Sequence, residues 1–301
     1  MTKIAILASN NMMPGHPDER GDSFEREEQM GKIIPAFAKL DMSATLIPWR
    51  EASTVAGEYD AMLPLFVWDY FEGNEKVFLS EMAKAEQQTK VFNSFAQLKW
   101  NSNKSYLDEL ETAGAPVIET IVVDRITQSG VARAFDALQT DKVVIKPQVG
   151  GGAWRQVLHS KGDPFPQRSE LPPAGAMIQA FLPSVLSEGE YSFLYFGGQF
   201  SHGVNKRPKD GDYRIQSLYG GSEAPYTPTK EERANAQAVL DALDFLPLYA
   251  RVDLLRGRDG QLKLIELEMI EPYLYLAHSA GEAGDNKGAQ KLARALKKRL
   301  V

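Results

Sequence analysis

Cysteine is missing from all 301 residues. That absence excludes disulfides, a thiolate nucleophile and cysteine-held zinc or iron–sulfur centres, and it suits a reducing compartment. Histidine is scarce, with 4 in the chain. His16, His159 and His278 show no ligand spacing, so each reads as a surface or hydrogen-bonded side chain. No apolar run approaches the roughly 20 residues that span a bilayer. The opening MTKIAILASN is too short an apolar stretch for a signal-peptide core, and the expected location is the cytoplasm. Two phosphate motifs are also lacking: GxxxxGK followed by Ser or Thr, and a strand followed by GxGxxG. Neither a Walker-type loop nor a dinucleotide fingerprint is available. Lys and Arg number 34 against 40 Asp and Glu, a net charge of −6. A broad nucleic-acid surface is not indicated, and a small-molecule partner is expected.

What is present is ordinary globular material, 43% hydrophobic and 25% charged, enough for two or three compact domains. KIAILAS reads as a strand, the polar loop from residue 10 as a connection, and residues 23–40 as a helix that Pro35 should interrupt. SATLIPW, YDAMLPLF and KVFNS read as further strands, with a helix near 74–88. That alternation predicts a parallel α/β sheet over residues 1–98. Residues 99–113 carry Tyr106, Leu107 and Leu110 at helical spacing, and Gly114 with Pro116 form a stop signal. The strands APVIETIVV, DKVVIKP and AMIQAFLPSV, with a helix near 129–139, predict a small middle domain over 99–185.

Residues 186–301 are mainly strands, EYSFLYF, GQFSHGV, YRIQSL, LYARVDLL and LKLIELEMI. Thr229 with Glu232 forms a capping-box pattern before a helix, and NKGAQKLARALKKRL reads as a terminal amphipathic helix. The fold class is α/β, turning to α+β in this C-terminal part. The aromatic run FVWDYF at 66–71 suits core or interdomain packing better than a substrate wall.

Acids interrupt the last core strand. Glu266 and Glu268 are two apart, so both point to one face, and the turn at GRDG brings Asp253 of the preceding strand alongside. Three carboxylates on one face require water, arginines or a cation. Oxygen-only ligands select magnesium, manganese or calcium over zinc. Upstream, Lys146 leaves an apolar strand just before Gly150, Gly151 and Gly152. Consecutive glycines can turn their N–H groups toward one point, and the lysine adds matching charge for phosphate. Lys104 in WNSNKSYL reads by itself as a surface lysine at a helix start. Arg251 shares a face with Asp253, while Lys206, Arg207 and His202 make a basic cluster that an exposed loop explains equally well.

The ordered set NSNKSYL, VVIKPQVGGGA, MIQAFL, YSFLYF, FSHGVNKRP, DYRIQ, YARVD and LIELE resembles the ATP-grasp ligases over most of the chain. Glutathione synthetase and D-alanine:D-alanine ligase are relatives in that family. The resemblance implies an ATP-grasp fold behind an N-terminal Rossmann-like parallel-sheet domain, with 186–301 as the C-terminal ATP-grasp domain. It implies that Lys104 and Lys146 contact ATP phosphates and that Gly150, Gly151 and Gly152 form the closing loop. Gln179, Ala180, Phe181 and Leu182 become the adenine-reading hinge, and Glu188 the ribose ligand. Asp253, Glu266 and Glu268 match the metal positions, for Mg2+ or Mn2+, although the usual last ligand is an asparagine where this chain has Glu268.

Arg214, Arg251 and Lys206 become candidate catalytic residues, since phosphoryl transfer needs positive charge on the moving group. The expected activity is a magnesium- and ATP-dependent carbon–nitrogen ligase acting through an acyl phosphate. Its partners are a small-molecule carboxylate and an amine, with no nucleic acid and no membrane, and a homodimer stays open. SHGVNKRPKDGDYRIQSLYGG looks most like the ring-closing branch of the family that serves cycloserine biosynthesis. The alternatives are a small-molecule kinase on the same fold and a nucleotide-binding module without turnover.

Overall fold

The protein is described by a computed structural model covering residues 1–279, 281 and 286–300. Residues 280, 282–285 and 301 of the expected third domain lie outside the described residues.

The apolar runs of the first third form a parallel sheet. Strands β1 (Thr2–Ala8), β2 (Met42–Pro48), β3 (Ala61–Phe66) and β4 (Lys90–Val91) align in the order β2-β1-β3-β4. Every residue of β3 is buried, as a parallel strand covered on both faces must be. The helix Phe24–Ala38 runs unbroken through Pro35, against expectation. Pro35 costs one hydrogen bond near the helix end, and burial of Ile33, Ala36 and Phe37 around it outweighs that loss.

The expected helix over 99–113 is two. Helix Phe95–Asn101 starts on a capping box made by Ser94 and Gln97, and helix Tyr106–Thr112 follows after a turn. The buried Asn101 side chain explains the break: its amide donates to the Leu267 carbonyl at 2.7 Å, and its oxygen accepts from the Met269 N–H at 2.9 Å. That anchoring leaves Lys104 in the turn between the helices.

The middle third forms an antiparallel sheet of β5 (Thr120–Val123), β6 (Lys142–Pro147), β7 (Val157–Ser160) and β8 (Ala176–Ala180), in the order β5-β8-β6-β7. The last third forms a second antiparallel sheet of β9 (Glu190–Phe196), β10 (Gln199–Arg207), β11 (Ser222–Tyr226), β12 (Tyr249–Arg256) and β13 (Leu262–Glu268), ordered β11-β10-β9-β12-β13. YRIQSL is not a strand. Asp212 accepts from the amides of Tyr213 and Arg214 at 2.7 and 2.9 Å, turning the chain there. The edge strand comes later, at β11. The Thr229–Glu232 capping box opens helix Lys230–Asp241 as expected.

Side chains of different sheets share cores. Ile4, Ile6, Phe37 and Leu63 pack in one cluster with Leu194, Phe196, Leu292 and Leu296, the last two from helix Lys287–Leu300. Tyr106, Leu107 and Leu110 pack with Phe193, Val252 and Leu264, so the segment after Lys104 leans on the last sheet. No described helix is long and apolar enough to cross a membrane.

Candidate active site

A cavity of about 390 Å3 draws its walls from the middle and last sheets and from residues outside the strands of the first third, Arg20, Trp68 and Phe71 among them. Its acid wall is the β12–β13 hairpin, whose register sets Arg251 opposite Glu268 and Asp253 opposite Glu266. Alternation then brings Arg251, Asp253, Glu266 and Glu268 to the same cavity. Neighbouring strands supply the countercharge. Lys206 is on β10, not in an exposed loop, and is only 2% exposed. It pairs with Glu190 and, at 3.5 Å, with Asp253.

Asp253 is saturated. Arg251 reaches it with Nε at 3.0 Å and Nη2 at 2.8 Å, Ser192 Oγ donates to it, and Lys206 completes the set. Burial opposes its charge, but Arg251 and then Lys206 hold its carboxyl down at about 2. Arg251 also pairs with Glu268, whose carboxyl burial nonetheless pushes up to about 8. Glu266 takes a different partner, Lys104, at 3.0 Å.

The nucleotide end is built on the middle sheet. Lys104 is buried in its inter-helix turn, with its amide bonded to the Gln148 carbonyl at 2.8 Å and its Nζ to the Gly150 carbonyl. Lys146 lies on β6 and lines the cavity, its side chain without an ion pair or hydrogen bond among the described residues and its pKa lowered by burial. Gly150, Gly151 and Gly152 form a loop on the cavity rim. A β-carbon at Gly151 would stand 2.8 Å from the Phe71 ring, and Gly152 has a φ of +57°, so side chains at these two positions would hinder the loop's approach to the first sheet. Gln179, Ala180, Phe181 and Leu182 line the opposite wall, where Gln179 Nε2 donates to Thr120 Oγ1 at 2.9 Å.

Two expected residues sit differently. Glu188 is absent from the cavity wall and instead holds Arg256 at 2.6 Å and the Tyr191 hydroxyl at 3.1 Å. Glu190, two residues on, lines the cavity in its place. The signal was in the sequence: Glu190 and Ser192 alternate on one face of β9 ahead of an apolar run. Arg214 is not on a strand beside the acids. It lines the cavity from an irregular segment, paired with Asp212 at 2.7 Å and stacked 3.7 Å from the Tyr219 ring. Phe71 and Trp68 line the cavity as well, while Phe66, Val67 and Tyr70 of the same run are packed in the cores.

Among the described residues, no three acidic or histidine side chains are grouped to hold a metal ion. Asp253 has its oxygens occupied and does not fit the ligand role that the family resemblance implies. Glu266 and Glu268 do fit magnesium, which takes one or two carboxylates and completes its shell with waters and phosphate oxygens.

The three-sheet architecture is a fold shared with solved ATP-grasp ligases. Residues 4–93 match the family model described as D-cycloserine synthetase DcsG, N-terminal domain. The chain is similar to the cycloserine biosynthesis protein DcsG of Streptomyces lavendulae, at 28% identity over 292 residues, covering 89% of this chain and 94% of the relative. The crystal structure of D-cycloserine synthetase DcsG superposes with a TM-score of 0.84 at 24% identity, over 99% of this chain and 100% of that one. D-alanine–D-alanine ligase from Bacillus anthracis follows the same fold, with a TM-score of 0.69 at 17% identity, over 100% of this chain and 97% of that one.

Proposed function

We propose that this ATP-dependent carboxylate–amine ligase phosphorylates the carboxylate of a small amino-acid-like substrate and lets a nitrogen attack the acyl phosphate, closing a ring within one molecule. The observation that carries the reading is Lys146: a half-buried cation without an ionic partner among the described residues, on the wall of a cavity that also holds the glycine loop and Glu266. A desolvated ammonium of this kind is matched by phosphate oxygens. The ring-closing detail is supported by likeness to DcsG across most of both chains.

We assign ATP to the Lys146, Gln179 and Phe181 end, with Lys104 turning from Glu266 to phosphate. Bound magnesium would neutralise phosphate charge, and Glu266 and Glu268 are the residues we assign to hold it. Arg251 and Lys206 are kept in place by Asp253, so their charge needs no reorganisation as the phosphoryl group moves. Arg214 reaches the cavity from its stack on Tyr219 and is our third catalytic assignment. A cytoplasmic location accords with the use of ATP, and the division 1–98, 99–185 and 186–301 is retained as part of the same reading.

The deciding experiment offers a panel of amino acids and their ureido and peptide derivatives with ATP and magnesium, and follows ADP, phosphate and product mass. One ADP and one phosphate per product, with hydroxylamine diverting the acid to a hydroxamate, is the expected result. A stable phosphoester with ADP but no phosphate would make the protein a kinase instead.

A further inference from the structure

Most charged side chains on the cavity wall have ionic partners. Arg20 is held by Asp22 at 2.9 Å and Glu72 at 3.5 Å, Lys104 by Glu266, Arg251 by Asp253 and Glu268, and Lys206 by Glu190. Besides Lys146, the other exception with no ion pair or side-chain hydrogen bond among the described residues is Glu271. Its carboxylate lines the cavity just beyond the end of β13. The backbone there is tied down, because Trp68 Nε1 donates to the Glu271 carbonyl at 2.9 Å. Arg251 Nη1 donates to the carbonyl of nearby Tyr273 at 3.3 Å. The segment therefore joins the first and last sheets, and its acid is not there to satisfy a neighbour.

An acid in this position lacks a cation. Burial raises the Glu271 carboxyl well above its ordinary range, and the nearby Glu268 and Glu266 charges add to that rise. The cations closest to relieving it are already committed to other acids. Trp68 and Tyr273 line the same cavity, and an aromatic wall beside a carboxylate is the combination that receives an ammonium group.

We infer that Glu271 is the receptor for a cationic amine on the substrate, which makes it a specificity-determining residue of the same cavity that Lys146 lines. The inference rests on the ligase reading and narrows its substrate to amine-bearing acids. The cavity then has an unpartnered cation for phosphate and an unpartnered anion for the amine, which sets the orientation of the substrate relative to ATP.

The test compares two compounds by calorimetry on protein loaded with ADP and magnesium: D-cycloserine, the amine-bearing compound for which the similar synthetase is named, and its analogue lacking the amine. The wild-type protein should prefer D-cycloserine at least about tenfold, Glu271→Gln should lose that preference, and Glu271→Asp should restore part of it, while ADP affinity with magnesium stays within about twofold in both variants. Equal binding of the two compounds, binding of neither, or a preference that survives Glu271→Gln would overturn the assignment. Weakened binding of ADP with magnesium in Glu271→Gln would overturn it too, and make the residue a metal contact. Failure of the ligase reading would appear separately, as no ADP release with any acid of the panel, and would leave this binding comparison intact.

Discussion

Asp253 and Glu266 are register partners across the β12–β13 ladder, yet different lysines neutralise them: Lys206 at 3.5 Å and Lys104 at 3.0 Å. The consequence is a division of labour between the two acids. Lys104 comes from a turn between helices and has the Gly150 carbonyl as a second partner, which is why Glu266 is the acid that the proposed function has exchange its lysine for a metal ion. Lys206 and Asp253 belong to the interiors of strands and are each 2% exposed. They remain together.

Glu266→Gln is expected to keep the fold and lower turnover by about 100-fold, since an amide is a poor partner for a cation that stabilises transferring phosphate. Initial rates across a magnesium titration check this. Full activity at saturating magnesium would remove Glu266 from the metal site.

Lys146→Ala should raise the ATP dissociation constant by roughly 10- to 100-fold, the value of one charge-assisted contact, whereas Lys298→Ala should leave it unchanged. Calorimetry with a non-hydrolysable ATP analogue gives the comparison. Equal affinities in the two variants would contradict the phosphate role.

The two neighbouring glutamates should separate cleanly. Glu190→Gln, on the cavity wall, is expected to weaken nucleotide binding about tenfold. Glu188→Gln should leave affinity alone and lower stability by less than about 1 kcal/mol, because its pairing with Arg256 is partly exposed. The opposite pattern would support the ribose role that the family resemblance implies for Glu188.

The Asp253 carboxyl titrates at about 2 in the folded protein against an ordinary value of 3.8. A depressed acid stabilises the fold above its unfolded pKa, and that stability is lost as pH falls through the folded value. Wild type should therefore exceed Asp253→Asn in urea midpoint at pH 7, by on the order of 2 kcal/mol. The gap should hold down to about pH 4 and close between about 4 and 2. A gap that does not depend on pH would mean that packing, and not the charge of Asp253, is responsible.

Much of the fold was legible in local pattern. Short apolar runs marked β1, β3, β9, β12 and β13, and the Thr229–Glu232 box marked its helix, because both signals depend only on near neighbours in the chain. The pairs Arg251 with Asp253 and Glu266 with Glu268 could be assigned to one face for the same reason. The sequence by itself therefore determined the strand order of chemistry-bearing residues and the likeness to the ATP-grasp ligases.

Tertiary structure decided the rest. Pro35 stays helical because a core covers that turn, and the helix over 99–113 divides because Asn101 bonds to strand residues more than 160 positions away. Lys206 reads as a loop residue until β9 and β12 surround it with Glu190 and Asp253. Asp253 itself looked free to bind a cation. Which carboxylates are saturated and which is left without a partner depends on where distant lysines and arginines come to rest. Ion pairing in a buried cavity is a property of all its walls together, and no single stretch of chain contains that information.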